Sequence, residues 1–561
     1  MRLRGEAAAP GAAVGPAWIY RAVVPSNGSV GPAGIGLELA AERAAGQLQA
    51  LADGLRGAGR EEQAGILEAQ SLMARDETLL AAARELIAAG SAPAAAVHEA
   101  GEAIARGIEA LDDELLAARA ADVRDVAARI GRASSGHVLD LPRVPSIALA
   151  DDLPASIAAE IPNGLLLGIG LAAGSPTAHA AILARSLGIP AAVGLADLAA
   201  YLEAPSGPAG HVETGTVALD GFSGELLIEP TSEELAAIGR RVATSAAQAR
   251  AAATLRGRPG ATRDGRPVRL LANLGGPDEV DRALQAGAEG VGLFRTEFLF
   301  LGRTRPPEED EQARAYAAVL GAFGPDRPVV IRLADIGGDK EVPYLGLAPE
   351  ANPFLGLRGI RLARTRPELL VAQLRAIARA AAATGTSPHV MAPMVATVED
   401  VDLFDELRRE AARSLSGDVQ AAAGRIVAGI MVEVPSAVWL APELVRRVSF
   451  MSIGTNDLTQ YLFAADRTNS ALAPYRDTLN PAVLRAVAAV VDAARPAGVP
   501  VAVCGELGGT LDGARVLVGL GVTELSMDPG SIDLVRAVLA DSPMSDLEAL
   551  AEGLRRGPTA G

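Results

Sequence analysis

The sequence predicts a multidomain α/β chain in which a compact α/β domain carries an all-helical insertion and is followed by a C-terminal (β/α)8 barrel of the TIM type. Three observations predict it. In roughly the last 300 residues, eight strand-like apolar runs alternate with helical stretches, a pattern whose natural closure is a parallel barrel. Short apolar runs bounded by turn residues also fill residues 144–230, and between residues 37 and 134 Ala, Leu, Glu and Arg recur at helical spacing. At 561 residues the chain exceeds what one hydrophobic core supports.

In chain order, residues 1–24 read as a short strand segment punctuated by Gly and Pro. Residues 25–139 read as three or four helices with breaks near Gly57 to Gly59 and Gly90 to Pro93. Strands follow at Ile147–Ala150, Leu165–Ile169, Pro190–Val193, Val217–Leu219 and Glu225–Glu229, with Ala17–Val24 as a further member of the same domain, 1–24 and 140–230. Thr231 or Ser232 before Glu233 and Glu234 starts a linking helix to about Leu255. The Gly, Pro, Arg and Asp of Gly257–Pro267 then read as a mobile hinge, closing a linker over 231–267. Barrel strands are expected at Val268–Leu274, Gly290–Phe294, Val329–Leu333, Val390–Met394, Ile426–Glu433, Phe450–Ile453, Val501–Cys504 and Glu524–Met527, within a domain over 268–561.

The balance of 51 basic against 68 acidic residues gives a formal charge of -17, which excludes nonspecific binding to nucleic acid or anionic membrane and suits a basic protein partner. No apolar run is long enough to span a bilayer, and Glu6, Pro10 and Gly11 interrupt any signal-like start. The chain is therefore expected in the cytoplasm, where a single cysteine, Cys504, also fits. Lys340 is the only lysine among the basic residues.

Chemistry-bearing residues gather at the strand tips. Arg295 and Arg332 follow two strands, and guanidinium forks match phosphate and carboxylate oxygens in pairs. Glu433 and Asp457 end two adjacent strands; a cation relieves their repulsion, and two carboxylates completed by phosphate oxygens and water are the usual setting for Mg2+, with Mn2+ the alternative. Asn456 and Cys504 complete a site suited to a phosphorylated carboxylic acid. Outside the barrel, Thr177 is a candidate N-cap that places His179 in the first turn of a helix running to about Leu187, stopped by Gly188. Free amides there favour a neutral imidazole and then stabilise a phosphate added to it.

Together these residues resemble Enzyme I of the phosphoenolpyruvate-dependent sugar phosphotransferase system over nearly the whole chain. The resemblance rests on the His179 run, Gly290–Phe300, Asp335–Glu341, Asn352–Arg358, Ser452–Tyr461 and Cys504–Glu506, and, in the helical part, on Leu111–Glu114 and Arg119–Asp125. It implies that His179 takes the phosphoryl group of phosphoenolpyruvate, with Mg2+ on Glu433 and Asp457. Arg295, Arg332, Arg358, Asn456, Asp457 and Arg467 would hold the substrate, and Cys504 would protonate the enolate to pyruvate. It further implies that 1–24 and 140–230 form the phosphohistidine domain and that 25–139 binds the histidine-containing phosphocarrier protein HPr. The barrel would form a homodimer, and Thr177 and Lys340 would support the site. Departures from the family pattern are Ser175 for the second glycine of the histidine motif, Ala178 before the histidine, and Gln70 where Glu-x-His is usual. Two rivals compete with this reading: a catalytically silent regulatory relative, and a phosphoenolpyruvate synthase or dikinase. Residues 25–140 lack the length and Gly-rich loop of the latter's ATP-binding domain.

Overall fold

The computed structural model describes residues 1–21, 35–57, 61–109, 114–162, 164–174, 179–203, 214–338, 342–348, 350–467 and 469–556. The chain divides into two compact units, Met1–Ala247 and Gln248–Gly561.

The first unit begins with three short strands, β1 (Arg2–Arg4), β2 (Glu6–Ala9) and β3 (Ala12–Ile19), where the sequence suggested one. Gly5 and the Pro10-Gly11 pair break the segment so that its pieces reach separate places in one sheet. Residues 22–24, part of the expected strand, lie outside the described residues. Five helices follow rather than three or four: α1 (Leu37–Gly57), α2 (Glu61–Met73), α3 (Glu77–Ala88), α4 (Pro93–Glu109) and α5 (Glu114–Ser135). Not every break carries Gly or Pro, and the one between α2 and α3 has neither. It is made by Asp76, whose side chain accepts from the Thr78 amide at 2.7 Å as an N-cap. Alanine-rich faces around Leu48, Leu67 and Ile130 pack these helices together.

The remaining elements of this unit are β4 (Ser146–Ala150), α6 (Ala155–Glu160), β5 (Leu166–Leu171), α7 (His179–Leu187), β6 (Ala191–Val193), α8 (Leu198–Glu203), β7 (Thr214–Asp220) and β8 (Glu225–Ile228). The sheet runs β1-β8-β7-β3-β4-β5-β6-β2. Strands before and after the helical insertion are thus interleaved, with β3 parallel to β4 and antiparallel to β7. Helix α9 (Ser232–Ala253) leads onward from Thr231, which forms a reciprocal cap with Glu234: each backbone amide donates to the other's side chain, at 2.9 and 3.3 Å.

The second unit is a closed parallel barrel of eight strands, β9 (Arg269–Leu274), β10 (Val291–Phe294), β11 (Val329–Arg332), β12 (His389–Ala392), β13 (Val427–Val432), β14 (Phe450–Ile453), β15 (Val501–Val503) and β16 (Glu524–Met527), with β16 pairing back onto β9. The crossovers carry α10 (Val280–Gln285), α11 (Glu309–Phe323), α12 (Pro367–Thr384), α13 (Val398–Arg413), α14 (Gly417–Ala423), α15 (Pro435–Trp439), α16 (Ala441–Leu444), α17 (Thr455–Phe463), α18 (Pro481–Ala494) and α19 (Leu511–Gly519), and α20 (Ile532–Asp541) and α21 (Met544–Arg556) end the unit. One large apolar cluster fills the space between strands and helices, while Leu293, Val330, Met391, Met431, Phe450 and Cys504 fill the barrel interior.

Gly257–Pro267 differs from the expected mobile hinge. Ala261 bridges Pro267 in a small antiparallel hairpin, and the Thr262 amide donates to the Arg266 carbonyl at 2.9 Å. The hairpin is tied to its own unit: the Gly260 amide donates to Glu289 Oε1 at 2.8 Å and the Arg263 amide to the Ser542 carbonyl at 3.0 Å. Gly, Pro and Asp serve a tight turn as readily as a linker, and composition alone does not separate the two.

Candidate active site

The barrel places its polar side chains where parallel strands end, at the C-terminal face. Arg332 is the last residue of β11; its guanidinium is 3.0 Å from Glu297 Oε1 and 3.4 Å from Asp335 Oδ2, and it is buried. Arg358 holds Asp335 in two parallel bonds, Nε to Oδ1 at 3.0 Å and Nη2 to Oδ2 at 2.6 Å, with both groups 1% exposed. From there its Nη1 lies 3.6 Å from Asp457 Oδ1 and 3.4 Å from the Tyr461 hydroxyl. Asp457, in the first turn of α17, also accepts from Arg467 Nη1 at 3.2 Å, and the Arg467 guanidinium sits over the Phe354 ring, 5.9 Å from its centre. Glu433, immediately after β13, is fully buried and accepts from the Met394 amide at 2.7 Å through Oε1.

Arg332, Arg358, Asp457 and Arg467 are thus linked through Asp335 and Asp457, and Glu433, held by the Met394 amide, feels the charges of Arg332, Arg358 and Asp457. Arg295 follows β10 with its side chain exposed, and Asn456 accepts from the Glu506 amide at 3.2 Å. Cys504 follows β15 and is buried, its amide donating to the Ile453 carbonyl at 3.1 Å. His179 is the first residue of α7 in the first unit. Thr177, Ser175, Ala178 and Lys340 lie outside the described residues.

Electrostatics follow from this packing. Burial pushes the Glu433 carboxyl up to about 7, helped by the charges of Asp457 and Asp335 and opposed by Arg332 and Arg358. Burial works against the charged form of Arg332 and Arg358, yet the surrounding carboxylates raise both above the usual arginine value, Glu297 and Asp335 foremost for Arg332 and Asp335 for Arg358. The Cys504 thiol is pushed up to about 11, chiefly by burial and further by the Glu433 charge, with a Ser452 hydrogen bond foremost, then Arg332 and Arg295, opposing the rise. At neutral pH it holds its proton and can act as an acid, not as a thiolate nucleophile.

The donor set fits a divalent cation. Glu433 Oε2 is buried with no hydrogen-bond donor among the described residues, and Asp457 Oδ1 faces the Arg358 guanidinium at 3.6 Å, too long for a hydrogen bond; buried carboxylate oxygens left so poorly satisfied can take a further positive charge. Among the described residues there is no group of three or more His, Cys, Asp and Glu arranged around a metal. Two protein carboxylates leave the rest of the shell to ligand oxygens and water, as Mg2+ prefers.

Sequence reasoning missed Glu297, Asp335 and Tyr461, which orient the arginines. Glu297 Oε1 also accepts from the Asp335 amide at 2.8 Å, so it fixes both the guanidinium and the loop that follows β11. Both acids stand within three residues of a strand-tip arginine, the one local signal of their role. Gln70 is 1% exposed and donates to Asp122 Oδ1 at 2.8 Å, so it is a buried packing residue of the helical insertion, not part of its surface.

Three family patterns match in sequence. Residues 4–119 match the N-terminal region of PEP-utilising enzymes, 142–224 their mobile domain and 249–544 their PEP-binding domain. The chain is 41% identical to a multiphosphoryl transfer protein of Xanthomonas campestris pv. campestris over 98% of its own length and 64% of that protein. It is 42% identical to a protein of the same name from Rhodobacter capsulatus, over 87% of this chain and 57% of that one. The chain thus spans about three fifths of these two longer relatives. With the phosphoenolpyruvate-protein phosphotransferase of Streptomyces coelicolor it shares 42% identity over 90% of its length and 86% of that protein.

Proposed function

The chain belongs to the PEP-utilising enzyme family, and from that membership we propose that it is a phosphoenolpyruvate-protein phosphotransferase. In this reading it moves the phosphoryl group of phosphoenolpyruvate to His179, releases pyruvate, and passes the group to a histidine of the phosphocarrier HPr as the first step of sugar uptake. The observation that carries the proposal is the buried set of Arg332, Arg358, Glu433 and Asp457 at the end of the barrel where Cys504 is also buried.

The charges of the site support it. Arginines and carboxylates alternate here, Arg332 with Glu297 and Asp335, Arg358 with Asp335 and Asp457, and Arg467 with Asp457, an arrangement suited to taking up an anion and a cation together. Arg332 and Arg358 are already oriented by Glu297 and Asp335, which lowers the reorganisation needed to hold phosphate and carboxylate oxygens. Arg295, Asn456 and Arg467 complete the clamp at its more open side. Glu433 and Asp457 would hold Mg2+ or Mn2+, which when bound neutralises charge on the phosphoryl oxygens. His179 is the first residue of α7, and the free amides of a helix start stabilise a phosphate placed there. Cys504 delivers its proton to the methylene carbon of the enolate, and Thr177 and Lys340 support the two sites.

In this reading residues 1–24 and 140–230 form the phosphohistidine domain, 25–139 binds the carrier, 231–267 links the two parts, and 268–561 binds phosphoenolpyruvate and forms a homodimer. Trp439, 75% exposed, offers apolar surface for such a contact. No helix among the described residues is long and apolar enough to cross a membrane, and the proposed location is the cytoplasm. The test is incubation of the full chain with labelled phosphoenolpyruvate and Mg2+, with His179→Ala alongside. Acid-labile label on the wild type alone supports the proposal. Binding of phosphoenolpyruvate with no label transferred would favour a silent regulatory relative.

A further inference from the structure

Beneath Cys504 lies a line of polar contacts that the chemistry described above does not use. The Asn273 amide, on β9, donates through Nδ2 to the Cys504 carbonyl at 3.1 Å. Its Oδ1 accepts from the Ser526 hydroxyl, on β16, at 2.6 Å. Ser526 is fully buried, and on the next strand Gly292 leaves it room: a Cβ there would lie 2.5 Å from both Ser526 Cβ and Oγ. β15, β16, β9 and β10 are consecutive neighbours in the closed sheet, so the line runs from Ser526 on β16 through Asn273 on β9 to Cys504 at the end of β15.

The arrangement is directional. An amide can face either way, but the Cys504 carbonyl can only accept, so it fixes Nδ2 on its side and turns Oδ1 to the Ser526 hydroxyl, which donates. β15 ends at Val503, so that carbonyl lies beyond the ladder. On the other side, the Cys504 amide donates to Ile453 on β14 at 3.1 Å. The two peptides flanking the Cys504 Cα are therefore pinned by different strands, and Gly505 packs so closely on Thr455 that an added Cβ would meet its Oγ1 at 1.9 Å. The thiol itself donates to the Ile453 carbonyl at 3.7 Å, and rotation about the side-chain bond away from that contact is the main freedom left to it.

We propose that Asn273, locked by Ser526, is a positioning residue that aims the Cys504 thiol at the methylene carbon of the enolate. The proposal rests on the reading of Cys504 as the proton donor. In that step the S–H bond breaks, a C–H bond forms from the enolate electron pair, and the thiolate left behind regains a proton from water. Run in reverse on pyruvate, the thiolate removes a methyl proton and returns a solvent one. A donor held loosely by about 1 Å loses on the order of a hundredfold in rate without losing affinity.

The experiment uses the full chain with Mg2+ and follows two rates: exchange of the pyruvate methyl hydrogens in D2O by NMR, and pyruvate formation from phosphoenolpyruvate. Asn273→Ala is expected to slow both by about ten- to a hundredfold, with KM for phosphoenolpyruvate within about twofold of wild type. Ser526→Ala, which frees the amide to turn, gives a smaller loss and serves if Asn273→Ala fails to fold, and Ser526→Thr restores the rate. Wild-type exchange in Asn273→Ala and Ser526→Ala, with exchange abolished in Cys504→Ala, would overturn the positioning role and leave Cys504 as the donor. Exchange surviving in Cys504→Ala would overturn the reading of Cys504 and this proposal with it. A KM that rises in step with falling kcat, unrepaired by Ser526→Thr, would reduce the line to a support of the barrel.

Discussion

Replacing Glu433 by Gln separates the stability of the empty site from its metal chemistry. Its carboxyl, 4.5 when unperturbed, is pushed up to about 7 by burial and by Asp457 and Asp335. A carboxyl raised in the folded state favours folding fully below its unfolded value, and that contribution is lost as pH rises through 4.5 to 7. A shift of about 2.5 units at 1.36 kcal/mol each amounts to about 3 kcal/mol at pH 8. Glu433→Gln keeps the shape and the acceptor facing the Met394 amide, while removing the titration. With metal chelated, the variant should unfold a few degrees above wild type at pH 8 and with wild type at pH 4.5. Adding Mg2+ should stabilise wild type far more than the variant, because a ligand bound to the folded state alone stabilises by mass action. Calorimetry of the full chain across this pH range, with and without chelator, reads all of these. A chelated variant no more stable than wild type at pH 8, or a difference independent of pH, would refute the reasoning.

Arg358→Leu leaves Asp335 buried without its two-pronged partner and should cost about 3–5 kcal/mol in denaturant unfolding of the barrel unit. Cys504, the sole cysteine and buried, should react very slowly with iodoacetamide at pH 7 and faster as pH approaches about 11, since only the thiolate attacks; rapid labelling at neutral pH would contradict the protonated donor. Gln70→Leu should lower the stability of the first unit by about 1–3 kcal/mol, because it leaves an Asp122 oxygen without this donor, while the affinity for a carrier protein stays unchanged in titration calorimetry.

The barrel was the most legible part of the sequence. Its strands are short and mostly apolar runs, and Phe450–Ile453 and Glu524–Met527 coincide with the predicted bounds. The helical insertion was less so, because a helix can stop on an aspartate cap, as at Asp76, without the Gly or Pro that sequence reading relies on. Gly257–Pro267 misled for the opposite reason: its turn formers build a hairpin fastened to the barrel unit. In the proposed site, Arg295, Arg332, Glu433, Asn456, Asp457 and Cys504 could be found one at a time at strand ends, and Arg358 and Arg467 only through the family resemblance. Those that orient them could not, since Asn273 meets Cys504 across 231 residues and Tyr461 meets Arg358 across 103. Such partners are chosen by barrel closure, which no local pattern records.

The most direct test of the account is a single-turnover experiment with the full chain, phosphoenolpyruvate and Mg2+ in the absence of any carrier protein, in which pyruvate and protein-bound phosphate are measured together. A burst of pyruvate matched by acid-labile, base-stable phosphate is expected, lost on chelation and absent from His179→Ala. Pyruvate formed without protein-bound phosphate, or a burst that survives in His179→Ala, would contradict it.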